Sequence, residues 1–220
     1  MSSRRTVYMF KYLYMIAGFA IIAVGIDMQR QAQVGLPSYG VLHQGIAIKT
    51  MLTFGQASIL VSLLCIVIST LLAVKPRMAT ILNMLFIGYF VDWFYPVVVS
   101  LQTADKLWQQ LLLFLAGTAL VAWGIAMYIS ANLGSGPRDS LMLALVKKIR
   151  QRVGLVVTGI ESIVLVLGFL LGGPVGWGTI ISALTMGWFV EIGLKFFRWV
   201  GTMNRFSQVI QVTVEQSAKH

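Results

Sequence analysis

Six runs of about twenty apolar residues, 7–26, 55–74, 78–99, 109–131, 155–172 and 177–200, dominate the 220-residue chain. Each matches the helix of roughly 20 residues that crosses a hydrocarbon core about 30 Å thick. Backbone N–H and C=O groups find no partners in lipid, so such a run folds as a helix that satisfies them internally. Charged residues make up only 11 % of the chain, against about a quarter in soluble domains, which argues against a soluble globule. The expected class is an all-α polytopic membrane protein, with membrane lipid as its constant partner. The segments between the runs are too short to hold a separate soluble catalytic domain.

Lysine and arginine outnumber aspartate and glutamate by 17 to 7. In a soluble chain that excess would suggest nucleic-acid binding. Here the cations lie between apolar runs and act as topology signals, so no nucleic-acid partner is expected. With six crossings and a cytoplasmic N-terminus, only Arg30, Lys49 and Lys106 fall outside. Eight crossings would expel the basic turn Lys75-Pro76-Arg77, so six are preferred, with both termini cytoplasmic. The first run follows Arg4 and Arg5 but is too long for a signal-peptide core and has no small-residue cleavage site after it, so it is expected to remain as a span. Two further segments, 38–49 and 138–150, reach only about 20 Å as helices, and are expected to be re-entrant or interfacial.

A shift of 99 residues lays the chain on itself. Gly18, Gly25, Gly35, Gly55 and Gly88 fall on Gly117, Gly124, Gly134, Gly154 and Gly187. Glycine density alone gives about one such match. Gly88-Tyr-Phe-Val-Asp92 aligns with Gly187-Trp-Phe-Val-Glu191, Thr80-Ile81 with Thr179-Ile180, and Lys49 with Lys148. Residues 1–104 therefore form one repeat (spans 7–26, 55–74 and 78–99 with short helix 38–49). Residues 105–200 form the second (spans 109–131, 155–172 and 177–200 with short helix 138–150), and 201–220 a cytoplasmic tail. Three crossings per repeat make the second copy enter from the opposite side, a three-plus-three inverted repeat of the kind many secondary transporters share. Paired chain breaks mark the binding site in such proteins; here they are Gly35-Leu-Pro37-Ser38-Tyr39 and Gly134-Ser-Gly136-Pro137-Arg138.

Val41-Leu-His43-Gln44-Gly45, Thr53-Phe-Gly55, Pro76, Thr80-Ile-Leu-Asn83 and Gly88-Tyr-Phe-Val-Asp92 together resemble the YczE/YyaS/YitT family of bacterial integral membrane proteins. The second half carries the resemblance in Asn132-Leu-Gly134-Ser-Gly136-Pro137-Arg138-Asp139, Glu161 and Gly172-Gly173-Pro-Val-Gly176-Trp-Gly178-Thr179. The family pattern before the first short helix is usually closer to Ser-Pro-Trp-Asp, where this chain has Pro37-Ser38-Tyr39-Gly40. The resemblance implies a multi-pass protein of the bacterial inner (cytoplasmic) membrane and leaves transport to be read from the architecture.

Asp92, Glu161 and Glu191 lie inside expected spans. A charge at the bilayer centre costs about 2.5–3.5 kcal/mol on insertion scales, so such residues need a role or a partner. As repeat equivalents, Asp92 and Glu191 are expected to point into one core and to bind a proton, Na⁺ or a cationic solute, with Glu161 a third candidate. The alternative is that each is neutral and hydrogen-bonded in packing, or hydrated near the interface. Further candidates for solute contact are His43 and Gln44 in the first short helix, Asn83 and Asn132 near helix breaks, and Arg138 at the start of the second short helix, where helix N-terminal amides favour an anion. Two histidines and one cysteine assemble neither a metal centre nor a nucleophilic triad, and no phosphate-binding loop occurs, so no metal, cofactor or enzymatic activity is expected. The expected function is a small secondary transporter or permease, with a small solute and a coupling ion (H⁺ or Na⁺) as partners. The alternative is a non-transporting membrane scaffold or accessory protein; a homo-oligomer is left open.

Overall fold

The computed structural model describes residues 2–101 and 105–199. Among them the chain forms eight helices and no strand: α1 (Ser2–Gln31), α2 (Ser38–Lys49), α3 (Phe54–Leu71), α4 (Met78–Leu101), α5 (Leu107–Ser130), α6 (Pro137–Ile149), α7 (Val153–Leu170) and α8 (Trp177–Trp199). Six are long and apolar enough to cross a membrane: Met9–Gln31, Phe54–Leu71, Met78–Ser100, Leu107–Ser130, Val153–Leu170 and Trp177–Trp199. These are the six expected spans, and α2 and α6 are the two short segments. The expected tail, 201–220, lies outside the described residues.

The most extensive packing is between α1 and α5, which run antiparallel with Gly18 against Gly124 and Gly25 against Gly117. A Cβ on Gly25 would stand 2.7 Å from the Gly117 carbonyl oxygen, and one on Gly117 2.7 Å from that of Gly25. Only glycine lets the two backbones come this close, and the close approach supplies the dispersion contacts that hold helices together in lipid. Phe19, Ile22, Val121 and Tyr128 fill the seam above and below. α4 packs on α1 and α8 on α5, while α2 and α6 each wedge between α3 and α7.

Hydropathy ends the first span at Ile26, but α1 continues to Gln31 because its polar end is paired inside the protein. Asp27 is fully buried and takes a 2.9 Å ion pair from Arg30. The Arg30 guanidinium lies 4.4 Å from the Phe54 ring centre and 3.8 Å from that of Tyr95. Gln29 donates from Nε2 to Thr118 Oγ1 at 2.9 Å.

The two chain breaks rest on the starts of α8 and α4. Thr179 donates its hydroxyl to the Leu36 carbonyl at 2.7 Å and accepts from the Gly176 N–H. Thr80 donates to the Ser135 carbonyl at 2.8 Å and accepts from the Arg77 N–H. Each break thus has its freed backbone satisfied by the other half of the chain, as buried irregular backbone requires.

Candidate functional site

A cavity of about 270 Å³ lies where α1, α4 and α5 meet the short helices α2 and α6, closed on its flanks by α3 and α7. Pro37, Tyr39 and His43 reach it from the first break and α2, and Gly136, Arg138 and Asp139 from the second break and α6. Of its 26 lining residues, 20 form pairs separated by 99 positions, among them Ile22 with Val121, Gln29 with Tyr128, Tyr39 with Arg138, His43 with Met142 and Ser62 with Glu161. The shape of the cavity is therefore shared by the two halves, whereas its chemistry is not. The charged lining residues, Arg138, Asp139 and Glu161, all come from the second half; Tyr39, Gly40 and Ser62 stand opposite.

The Arg138 guanidinium stacks on the Tyr39 ring at 3.9 Å. Asp139 Oδ2 accepts a 2.6 Å bond from the Tyr128 hydroxyl and a 3.2 Å bond from the Gly136 N–H. His43 is buried, its ring edge-on to Phe54 at 5.4 Å, and its Nε2 has no hydrogen-bond partner among the described residues. α2 lies outside the six spans. Burial, reinforced by the charge of Arg138, holds the His43 imidazole well below its ordinary pKa, so it is a neutral group facing the cavity. Burial likewise pushes the Tyr39 phenol up to about 12, with Arg138 opposing the rise.

Of the residues that the sequence nominated, His43, Asn83, Arg138 and Glu161 line the cavity. Gln44 is half-buried on α2 and does not line it. Asn132 sits at the end of α5 in the left-handed conformation (φ 56°), where its N–H donates to the Ile129 carbonyl. Asn132 closes a helix and does not reach the cavity.

Asp92 and Glu191 do not meet in a common core. Asp92 is half-buried and caps α3: its Oδ1 accepts the Gly55 N–H at 2.9 Å and its Oδ2 the Thr53 hydroxyl. Glu191 lies on an exposed face of α8, where its Oε1 pairs with Lys195 one turn on at 2.8 Å. Equal position along equivalent helices did not place the two carboxylates on one interior face. The anion site expected at the start of α6 is also altered, because Asp139 already takes the Gly136 N–H and Pro137 has none to offer.

Gln29, Tyr128 and Asp139 of the cavity, and Asp27 beside it on α1, are polar residues that the sequence did not nominate; Tyr39 entered only as the last residue of the first chain break. Asp139 stood three residues after Gly136 at a helix start, the spacing of a capping box. Asp27 and Arg30 stood three apart on a helix, the spacing of an ion pair.

These observations define a membrane protein that is all-helical over the described residues, with six candidate spans and a largely apolar cavity, bounded by two short helices, into which a few polar and charged side chains reach. The chain belongs to the family of unknown function DUF6198, which matches residues 9–195. It is 31 % identical over 186 residues to the uncharacterized membrane protein YczE of Bacillus subtilis (strain 168), covering 84 % of this chain and 85 % of that one. An uncharacterized protein of Haemophilus influenzae (strain ATCC 51907 / DSM 11121 / KW20 / Rd) is 31 % identical over 181 residues, with 82 % of each chain covered. The uncharacterized protein YyaS of Bacillus subtilis (strain 168) is 26 % identical over 183 residues, 83 % of this chain and 91 % of that one. The resemblance to YczE and YyaS read from the sequence is thereby established. No solved structure matches the chain.

Proposed function

We propose that this protein is a small secondary transporter or permease that moves a small polar solute by alternating access through the central cavity. The reading takes residues 1–104 and 105–200 as copies of opposite orientation, related by a pseudo-twofold axis in the bilayer plane. The antiparallel glycine contacts of α1 with α5 and the reciprocal Thr80 and Thr179 bonds support it. The observation that carries it is the cavity lining, most of which consists of residues paired at the repeat spacing, so that the cavity straddles the axis. Solute sites of inverted-repeat transporters lie at the repeat interface, beside broken helices.

The cavity is at the small end of ligand pockets, which run from about 300 Å³ upwards. Arg138 supplies the cationic end, for an acidic or strongly polar group on the solute, and Glu161 the carboxylate that carries the coupling ion, H⁺ or Na⁺. Asp92 and Glu191 leave the solute site in this reading. The membrane is the bacterial inner membrane, with both chain ends cytoplasmic, α2 and α6 re-entrant, and one copy sufficient for the path.

The test begins with a thermal-shift screen of solutes on detergent-solubilised protein at two pH values, followed by uptake of the hits into proteoliposomes. Arg138→Gln is expected to abolish the solute-induced shift, and Glu161→Gln to remove the pH or Na⁺ dependence of uptake. Flux and ion dependence unchanged in Glu161→Gln would refute the carboxylate coupling. A stable co-purifying protein with no solute-dependent shift would favour the scaffold reading instead.

A further inference from the structure

The helix pair α3–α4 and its repeat equivalent α7–α8 carry the same sequence devices and use them differently. In the first half, α3 and α4 pack closely. A Cβ on Gly55 would overlap the Gly88 carbonyl, and one on Gly88 would stand 2.8 Å from that of Gly55. Across this contact Asp92 of α4 holds the first turn of α3 through Thr53 and the Gly55 N–H. The equivalents of Thr53, Gly55, Gly88 and Asp92 are Arg152, Gly154, Gly187 and Glu191.

Every one of these second-half partners is disengaged. A Cβ on Gly154 or on Gly187 would meet nothing within 4 Å. The first turn of α7 has no side-chain cap, and Glu191 is turned outward to Lys195. A crevice of about 540 Å³ lies along α8, between Leu165 of α7 and Trp177, Ile180 and Leu184. Glycine in a helix interior costs about 1 kcal/mol relative to alanine, so Gly187, with no protein atom before it, has no packing use in the arrangement seen, and Gly154 in the first turn of α7 likewise faces none.

We propose that α7 and α8 are the open counterpart of a gate whose closed form is α3–α4. In the alternate state Gly154 and Gly187 come into contact, and Glu191 leaves Lys195 to cap α7 at the Gly154 N–H and to pair with Arg152, while Asp92 releases α3. The inference rests on the reading of the halves as inverted copies, and it names the residues that regulate the solute cavity. Val157, Ile160 and Glu161 of α7 and Met186 of α8 line that cavity, so closing this pair covers its Glu161 side. The substitutions between copies suit the role. Glutamate reaches one methylene further than aspartate, and Arg152 gives it a charged partner where Thr53 gave Asp92 a hydroxyl.

The experiment is a distance measurement between spin labels at Leu155→Cys on α7 and Ile192→Cys on α8, both exposed positions. It uses the full chain with Cys65→Ala, reconstituted in bilayers. Two distances are expected. The short component should grow about fivefold relative to the long one in Asp92→Ala, which removes a helix cap from the competing state. It should vanish in Gly187→Leu, whose side chain has room in the open arrangement, and shrink in Glu191→Ala. One distance, the same in all four proteins, would overturn the gate. Should Asp92→Ala fail to elute as a single species, the Gly187→Leu and Glu191→Ala arms decide alone. A short component that responds as stated, with no solute flux, keeps the gate and overturns transport; flux with one unchanging distance does the reverse.

Discussion

At the scale of single residues, the central cavity sets a neutral histidine beside an arginine. His43 stays uncharged in the folded chain because burial and Arg138 both disfavour its protonated form. An unfolded imidazole protonates near pH 6.5, so below that value the unfolded state binds a proton that the folded state refuses. Stability is then complete above about pH 6.5 and falls as the pH drops below it, by about 1.4 kcal/mol for each unit until the folded-state value is reached. Thermal unfolding at pH 7.5 and 5.5 is expected to give a lower Tm at the acidic value in the parent chain and a smaller difference in His43→Gln. Tyr39, Arg138 and Glu161 face the same cavity and remain in the variant. A difference that survives the substitution undiminished would show that His43 does not carry the pH response.

At the scale of helices, close approach through glycine is the device that the sequence advertised and the fold uses. Gly117→Val puts a branched side chain where even a Cβ stands 2.7 Å from the Gly25 carbonyl, in the best-packed seam of the molecule. The α1–α5 contact is expected to break, with a loss of at least about 3 kcal/mol in reversible unfolding. Gly159→Ala on α7 meets nothing within 4 Å and should gain up to about 1 kcal/mol from helix propensity. Equal effects of the two substitutions would contradict this seam. Thr80→Val and Thr179→Val each remove one donated and one accepted bond at a chain break and are expected to cost about 1–3 kcal/mol each, by similar amounts. A cost at one and none at the other would mean that the two breaks are not held alike.

The helices themselves were readable because lipid imposes long apolar runs, and both short helices because glycine and proline mark their starts. The last turn of α1 was not, since Asp27, Gln29 and Arg30 look solvent-seeking in sequence; the Asp27–Arg30 pair is local, but what buries it, Phe54 and Tyr95 against Arg30 and Thr118 against Gln29, comes only from across the fold. Within the cavity, His43, Asn83, Arg138 and Glu161 could be nominated from the breaks and the polar residues around them, whereas the Tyr128–Asp139 bond exists only once α6 starts against α5. Asp92 and Glu191 were misplaced for a related reason. The repeat fixes their distance along equivalent helices, but the face each presents depends on whether its neighbouring helix is packed close or drawn away.

At the scale of the whole molecule, the distribution of cations and the depth of α2 make one connected claim about sidedness. If α2 and α6 enter the bilayer and return, six helices cross, Lys49 is external, and the Lys75-Pro76-Arg77 turn is cytoplasmic, as the excess of positive charge demands. If the two short helices cross instead, both positions change sides. At about 18–20 Å, α2 and α6 are shorter than the hydrocarbon core by a third, and a full crossing would draw the polar ends of the neighbouring loops into lipid. Single cysteines at Lys49→Cys and Pro76→Cys, in a Cys65→Ala background, therefore discriminate by which side each is on. In intact cells a membrane-impermeant thiol reagent is expected to label residue 49, and residue 76 only after permeabilisation. The opposite pattern would establish eight crossings, give each half an even number of them, and thereby remove the opposite orientation of the halves on which alternating access depends.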